Sequence, residues 1–183
     1  GFQNANLRRI SSESGVSTGS IYTRFGDKAG LFSAVVKPAA DGLMELYLES
    51  ITAARESGDP AEATSQGNEG TELVLKYIYE NFDVFKLIFC HSAGTEYERY
   101  FDELAEIEEK YYREFVKQFS RRENMVSDFF IHVICRTGWS YIYEVVSHDL
   151  SYDEAQIFMK SIREFCFAGW GKVLGQNYED LGL

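Results

Sequence analysis

The chain has 183 residues, 45% of them hydrophobic, 15% aromatic and 26% charged, with 29 acidic against 18 basic side chains. That is enough chain to bury a sizeable core, and its composition excludes a disordered polymer. Only three cysteines, Cys90, Cys135 and Cys166, lie far apart among apolar neighbours. A disulfide scaffold is therefore excluded, and a reduced, cytoplasmic protein is expected. The longest apolar run, Phe129 to Cys135, is interrupted by His132 and closed by Arg136, so no membrane partner is expected. No signal peptide opens the chain, and Gly1 is not a native start, which points to a segment upstream of it.

A net charge of −11 argues at face value against a nucleic-acid partner, but the average hides an asymmetry. Residues 1–37 carry Arg8, Arg9, Arg24, Lys28 and Lys37 against Glu13 and Asp27, a net +3 that leaves −14 on the other 146 residues. A basic head on an acidic body is a reason to inspect the head for phosphate binding.

In chain order, Asn6 caps a short helix over Asn6 to Ser14, which Gly15 stops. Ser17 caps a second short helix that ends at Phe25 before Gly26. Asp27 then caps a long one, whose apolar positions Leu31, Val35, Ala39, Leu43, Leu46, Tyr47 and Ile51 recur every three or four residues. Pro38 lies inside it and should bend it without ending it, because the pattern resumes in phase. Glu56 to Gly70 has linker composition and is expected to be a mobile loop. Glu72 to Ser92 is apolar nearly all round and should be a buried helix. Further helices are expected over Asp102–Arg122, Asn124–Ser147 and Asp153–Leu174, the last opened by a Ser151–Glu154 capping box. Strand signals are nearly absent, so the fold class is all-α.

Two short helices around Gly15-Val16 have the geometry of a helix-turn-helix, whose second helix enters a DNA major groove. On that second helix Ile21 and Phe25 lie one turn apart and pack inward, while Gly19 and Thr23 point outward. Thr18, Ser20, Tyr22 and Thr23 supply hydroxyl donors and a ring suited to phosphates and base edges. On spacing alone, a plain helical hairpin with surface hydroxyls fits equally well.

The residues themselves resemble a family. Gly15-Val16-Ser17-Thr18-Gly19, then Ile21-Tyr22-Thr23-Arg24-Phe25, then Lys28-Ala29-Gly30-Leu31-Phe32, looks like the signature of the TetR family of transcriptional regulators. The resemblance implies a DNA-binding head over 1–37 and a ligand-binding and dimerisation body over 38–183. It also implies that the head is incomplete at its N-terminus, since the family carries a helix before the Gly-Phe pair that here is Gly1-Phe2. By position, Asn6, Ser17, Thr18, Gly19, Ser20, Tyr22, Thr23, Arg24 and Lys28 are the implied DNA contacts. Many members have a basic residue where this chain has Thr18, and guanine readout there is not implied. The implied protein is a homodimeric, ligand-responsive repressor on a pseudo-palindromic operator. The competing reading is an all-α small-molecule-binding or interaction protein without DNA binding.

Cys90-His91 does not read as a catalytic pair, because adjacent helical residues point about 100° apart. Glu96, Glu98, Asp102, Glu103, Glu106, Glu108 and Glu109 read as a solvated acidic helix face. No phosphate loop, nucleophile elbow or zinc spacing appears, so neither an enzyme nor a cofactor or metal is expected. An inducer site is expected between helices 71–92, 102–122 and 124–147, lined by Tyr77, Phe85, Phe89, Tyr112, Phe115, Phe119, Phe130 and Trp139. His132, Arg136 and Tyr143 are its candidate polar anchors, with a satisfied core pair as the alternative for His132 and Arg136. A guanidinium anchor would suit an amphipathic ligand with an acceptor group. The last two helices are too apolar for one exposed side each, and Phe158, Ile162, Phe165, Trp170 and Val173 are the expected dimer interface.

Overall fold

The structure is a computed structural model and describes residues 1–56, 60–120 and 126–175. Among these every regular element is helical: α1 (Leu7–Ser14), α2 (Thr18–Phe25), α3 (Lys28–Arg55), α4 (Pro60–Glu80), α5 (Phe82–His91), α6 (Tyr100–Phe119), α7 (Asp128–Ser147) and α8 (Tyr152–Leu174), with a 3₁₀ turn at Glu96–Arg99. No described helix is long and apolar enough to cross a membrane.

The helix starts follow from side-chain caps. Asn6 accepts from the Arg8 and Arg9 amides, Ser17 from Ser20, Asp27 from Gly30, and Ser127 from Phe130. Ser151 and Glu154 form a reciprocal capping box. Gly15 ends α1 with φ 71°, a left-handed backbone that L side chains rarely adopt. α3 continues through Pro38, as the unbroken apolar phase requires.

Two expectations are corrected. Glu56 to Gly70 is not a loop: α4 begins at Pro60, and only residues 57–59 of that stretch lie outside the described residues. Pro60 suits the first helical position, where no backbone donor is needed. Gly70 is tolerated mid-helix because α4 lies close on α3, where a Cβ would stand 2.7 Å from that of Ser50. The second correction concerns 72–92, which is two helices broken at Asn81. There the Asn81 side chain donates to the Tyr77 carbonyl at 3.0 Å, and the Asn81 amide is shared at 3.2 Å between the Tyr77 and Ile78 carbonyls, the pattern of a helix end. The expected starts and ends at Arg121, Arg122 and Asn124 lie outside the described residues.

The body encloses one core. Val36 and Leu43 of α3, Ile78 of α4, Phe85 of α5, Leu104 of α6, Val146 of α7 and Ala155 of α8 are all fully buried. The head is thinner: Ile21 is its buried apolar side chain, backed by half-buried Leu7, Ile10, Phe25 and Leu31. Burial of that size stabilises a domain weakly, so the head depends on its seat against the body.

Candidate DNA-binding head and core polar site

α2 presents one outward polar face. Ser17, Gly19, Ser20, Tyr22, Thr23 and Arg24 are exposed, with Tyr22 at 53%, whereas Ile21 turns in at 4%. Thr18 is half-buried. The Thr23 hydroxyl donates to the Gly19 carbonyl at 2.9 Å, and the Ser17 and Ser20 hydroxyls pair at 2.9 Å. Asn6 is exposed, with its side-chain oxygen committed to capping α1. Lys28 is held more tightly than a free surface lysine: its ammonium donates to the Gln3 carbonyl at 3.2 Å and sits 4.4 Å from the Phe2 ring centroid.

The same turn joins head to body. The Phe2 amide donates to the His91 carbonyl at the end of α5 (2.9 Å), and the Phe2 ring packs edge-on against Phe32, which meets Tyr97. Ser33 donates to Glu96 at 2.8 Å. One residue past the 3₁₀ turn, the buried Tyr100 hydroxyl donates to the Ala40 carbonyl at 2.6 Å, tying the start of α6 to α3 beside Pro38. Packed rings and hydrogen bonds thus connect the start of α6 to α3 and the head.

In the body the aromatic residues form two ring clusters. Tyr77, Phe85 and Phe89 run in edge and tilted contacts to Phe101, which meets both Trp139 and Tyr143. Tyr112 stacks on Trp170 at 4.9 Å, and Phe130, Phe115 and Phe119 extend that second cluster. The candidate lining therefore divides in two, and Trp170, expected at a dimer interface, packs inward on Tyr112. The three candidate anchors sit at the outer edge of α7. His132 pairs with Glu109 Oε1 at 2.6 Å, Arg136 pairs with Asp102, each anchor side chain being 42% exposed, and Tyr143 is exposed. Arg136 thus has a protein carboxylate already, which removes the argument for a ligand acceptor group.

The acidic face of α6 needs correction as well. Glu109 is only 6% exposed, accepting from His132 and from Arg113 at 3.2 Å. Glu108 keeps part of its stem in solvent, but its Oε2 is sealed off and has no hydrogen-bond partner. Burial pushes its carboxyl from 4.5 up to about 8, and the nearby Trp139 indole offsets only part of that. Around it stand Tyr47, Tyr111, Tyr112, Cys135 and Cys166, each titrating above its usual range because burial disfavours the charged form. Glu108 and Tyr47 are the residues that sequence reasoning missed. Their available signal was spacing: Glu108 follows buried Leu104 by four positions and precedes Tyr112 by four.

On α8, Ile157 (70%) and Phe165 (71%) face outward, while Phe158, Ile162 and Val173 are half-buried, with Phe158 against Tyr141. Phe129 (75%) and Val133 of α7 are also exposed. No group of three or more His, Cys, Asp or Glu among the described residues could hold a metal ion.

Comparison with known proteins agrees with the head's geometry. The family of bacterial regulatory proteins, tetR family, matches over residues 1–35. No curated protein and no solved structure matches the chain. Residues 1–35 are therefore a TetR-family N-terminal helix-turn-helix domain, the DNA-binding head of a transcriptional regulator.

Proposed function

We propose that this protein is a homodimeric repressor that binds a pseudo-palindromic operator through α2 and is released by a small-molecule inducer held in the body. The observation that carries the reading is the seat of the head: Phe2, Phe32 and Ser33 rest on the segment that leads into α6, and α6 carries Glu108, with its sealed-off Oε2, near its middle. A ligand that shifts α6 would change the spacing of two heads in a dimer, and so their fit to successive major grooves. The test is a mobility shift of the intact gene product on its own promoter region. A shift that a small molecule reverses supports the reading. Absence of any shift favours a small-molecule-binding protein whose head is only structural.

Lys28 supports both the head's packing and, by its position, a phosphate contact. The two roles separate in salt titrations. If each head neutralises one phosphate with this lysine, Lys28→Ala lowers the slope of log K against log salt by about 0.9 per head. A purely structural lysine would weaken binding at an unchanged slope.

The dimer reading rests on exposed Phe165 and Ile157 on α8 with Phe129 and Val133 on α7. A two-fold contact would cover both copies of each, and burying one Phe side chain contributes about 1.5–3 kcal/mol. Phe165→Glu should then weaken dimerisation by about a hundredfold or more without loss of helix. Sedimentation velocity checks it; an unaltered dimer would place the interface elsewhere.

A further inference from the structure

Among the described residues, three buried side-chain polar atoms lack a hydrogen-bond partner: Tyr47 Oη, Glu108 Oε2 and Arg113 Nε. Arg113 is otherwise satisfied, pairing with Glu109 and lying 3.6 Å from Asp128. The other two belong together. Tyr47 lies within the field of Glu108, its ring stands edge-on to Trp139 at 5.0 Å, and the Trp139 indole reaches toward both without completing the bond of either atom. Gly138 places no side chain against Oε2, and a Cβ there would meet it at an ordinary contact distance of 3.8 Å. Tyr112, stacked on Trp170, also lies within the field of Glu108.

An acceptor oxygen and a hydroxyl held out of water without partners cost free energy unless something completes them. Aromatic faces carry negative potential, so rings around a carboxylate favour a cation and disfavour an anion. Among the described residues Glu108 has no ion pair; Lys and Arg side chains of α6 and α7 are paired elsewhere or exposed. We propose that this site holds the inducer's head group, and that the inducer is a protonated organic amine with an apolar body, its N–H donated to Glu108 Oε2 and its charge lying against Tyr47, Trp139 and Tyr112. This rests on the ligand-responsive reading above and gives that ligand its chemical class.

The proton balance follows. With its carboxyl near 8, Glu108 is mostly protonated at pH 7 in the empty protein, and an arriving ammonium group displaces that proton. The groups facing it, Tyr47, Tyr111, Tyr112, Cys135 and Cys166, stay neutral there. Arg113 and Glu109, which bear on Cys135, already neutralise one another. Amine affinity therefore rises with pH, by somewhat under tenfold per unit up to about 8, then levels.

Trp139 and Trp170 are the chain's two tryptophans, so fluorescence excited selectively at tryptophan reports on this site and on the Tyr112–Trp170 stack beside it. Octylamine, octanol and octanoate, equal in chain length and different in charge, are titrated into the full chain at pH 7.5. The expected result is saturable binding of octylamine at least about tenfold tighter than octanol, octanoate weaker than both, and loss of the amine preference in Glu108→Gln. Octanol or octanoate binding as tightly as octylamine overturns the proposal, and so does an undiminished amine preference in Glu108→Gln. The same probes added to the promoter mobility shift keep the two readings apart. Release by octanol or octanoate but not by octylamine sinks the amine class and leaves ligand response standing. Glu108-dependent amine binding that never releases DNA supports the site and tells against ligand-driven release.

Discussion

Gly30→Ala should abolish operator binding while the body stays folded. Gly30 lies in the first turn of α3, where its amide donates to the Asp27 cap at 2.8 Å. A Cβ there would be driven into the Phe25 carbonyl oxygen, a backbone atom at the end of α2. No side-chain rotation relieves that contact, so α2 must move relative to α3. Overpacking of this kind costs about 1–3 kcal/mol, and a head whose buried apolar side chain is Ile21 has little to set against it. DNA affinity should fall at least about a hundredfold, since the cost falls on the element that enters the groove. Gly19→Ala is the control for head folding, read by hydrogen exchange and not by DNA affinity, because its Cβ meets only Ser17 Oγ at 3.7 Å. Hydrogen exchange should quicken in α1 and α2 of Gly30→Ala alone, with α5 to α7 unchanged. Full-strength binding by Gly30→Ala would remove the α2–α3 junction from the positioning machinery.

What the sequence made legible was local. Asn6, Ser17, Asp27 and the Ser151–Glu154 box act on amides two or three residues away, and each caps the expected helix. The head was legible for the same reason, its turn glycines and inward Ile21 all lying within a short span. Failures came where a distant segment decides. Gly70, lacking a Cβ, lets α4 lie close against Ser50 of α3, so a stretch with linker composition packs as helix. Asp102 and Glu109 of α6 meet Arg136 and His132 of α7, and no pattern within α7 names those partners. Glu108 was misread because charge counted for more than phase. It repeats the spacing of Leu104 and Tyr112, and a carboxylate on a buried stripe is information about function more often than about solvation.

That carboxylate also sets a pH effect on the body's stability between about pH 4.5 and 8. With its carboxyl raised from 4.5 to about 8, folded Glu108 keeps a proton that the unfolded chain gives up. The folded state therefore binds more protons across that interval, and stability falls as pH rises through it, by up to about 1.4 kcal/mol per unit. The contribution is fully present below about 4.5 and lost above about 8. Glu154, whose carboxyl is lowered by its Ser151 hydrogen bonds, works in the opposite direction and below this window. Glu108→Gln keeps the shape and cannot ionise, so whatever its amide costs is the same at every pH. The difference between wild type and variant isolates the titration from all other groups. Thermal melts of both proteins at pH 5.5, 7.0 and 8.5, at one fixed protein concentration, should show the variant gaining on wild type by roughly 5 °C or more across the range. Parallel melting curves would mean that Glu108 ionises freely in the folded protein. Its Oε2 would then be in contact with water, and the aromatic walls of Tyr47, Tyr112 and Trp139 would enclose no site short of a partner.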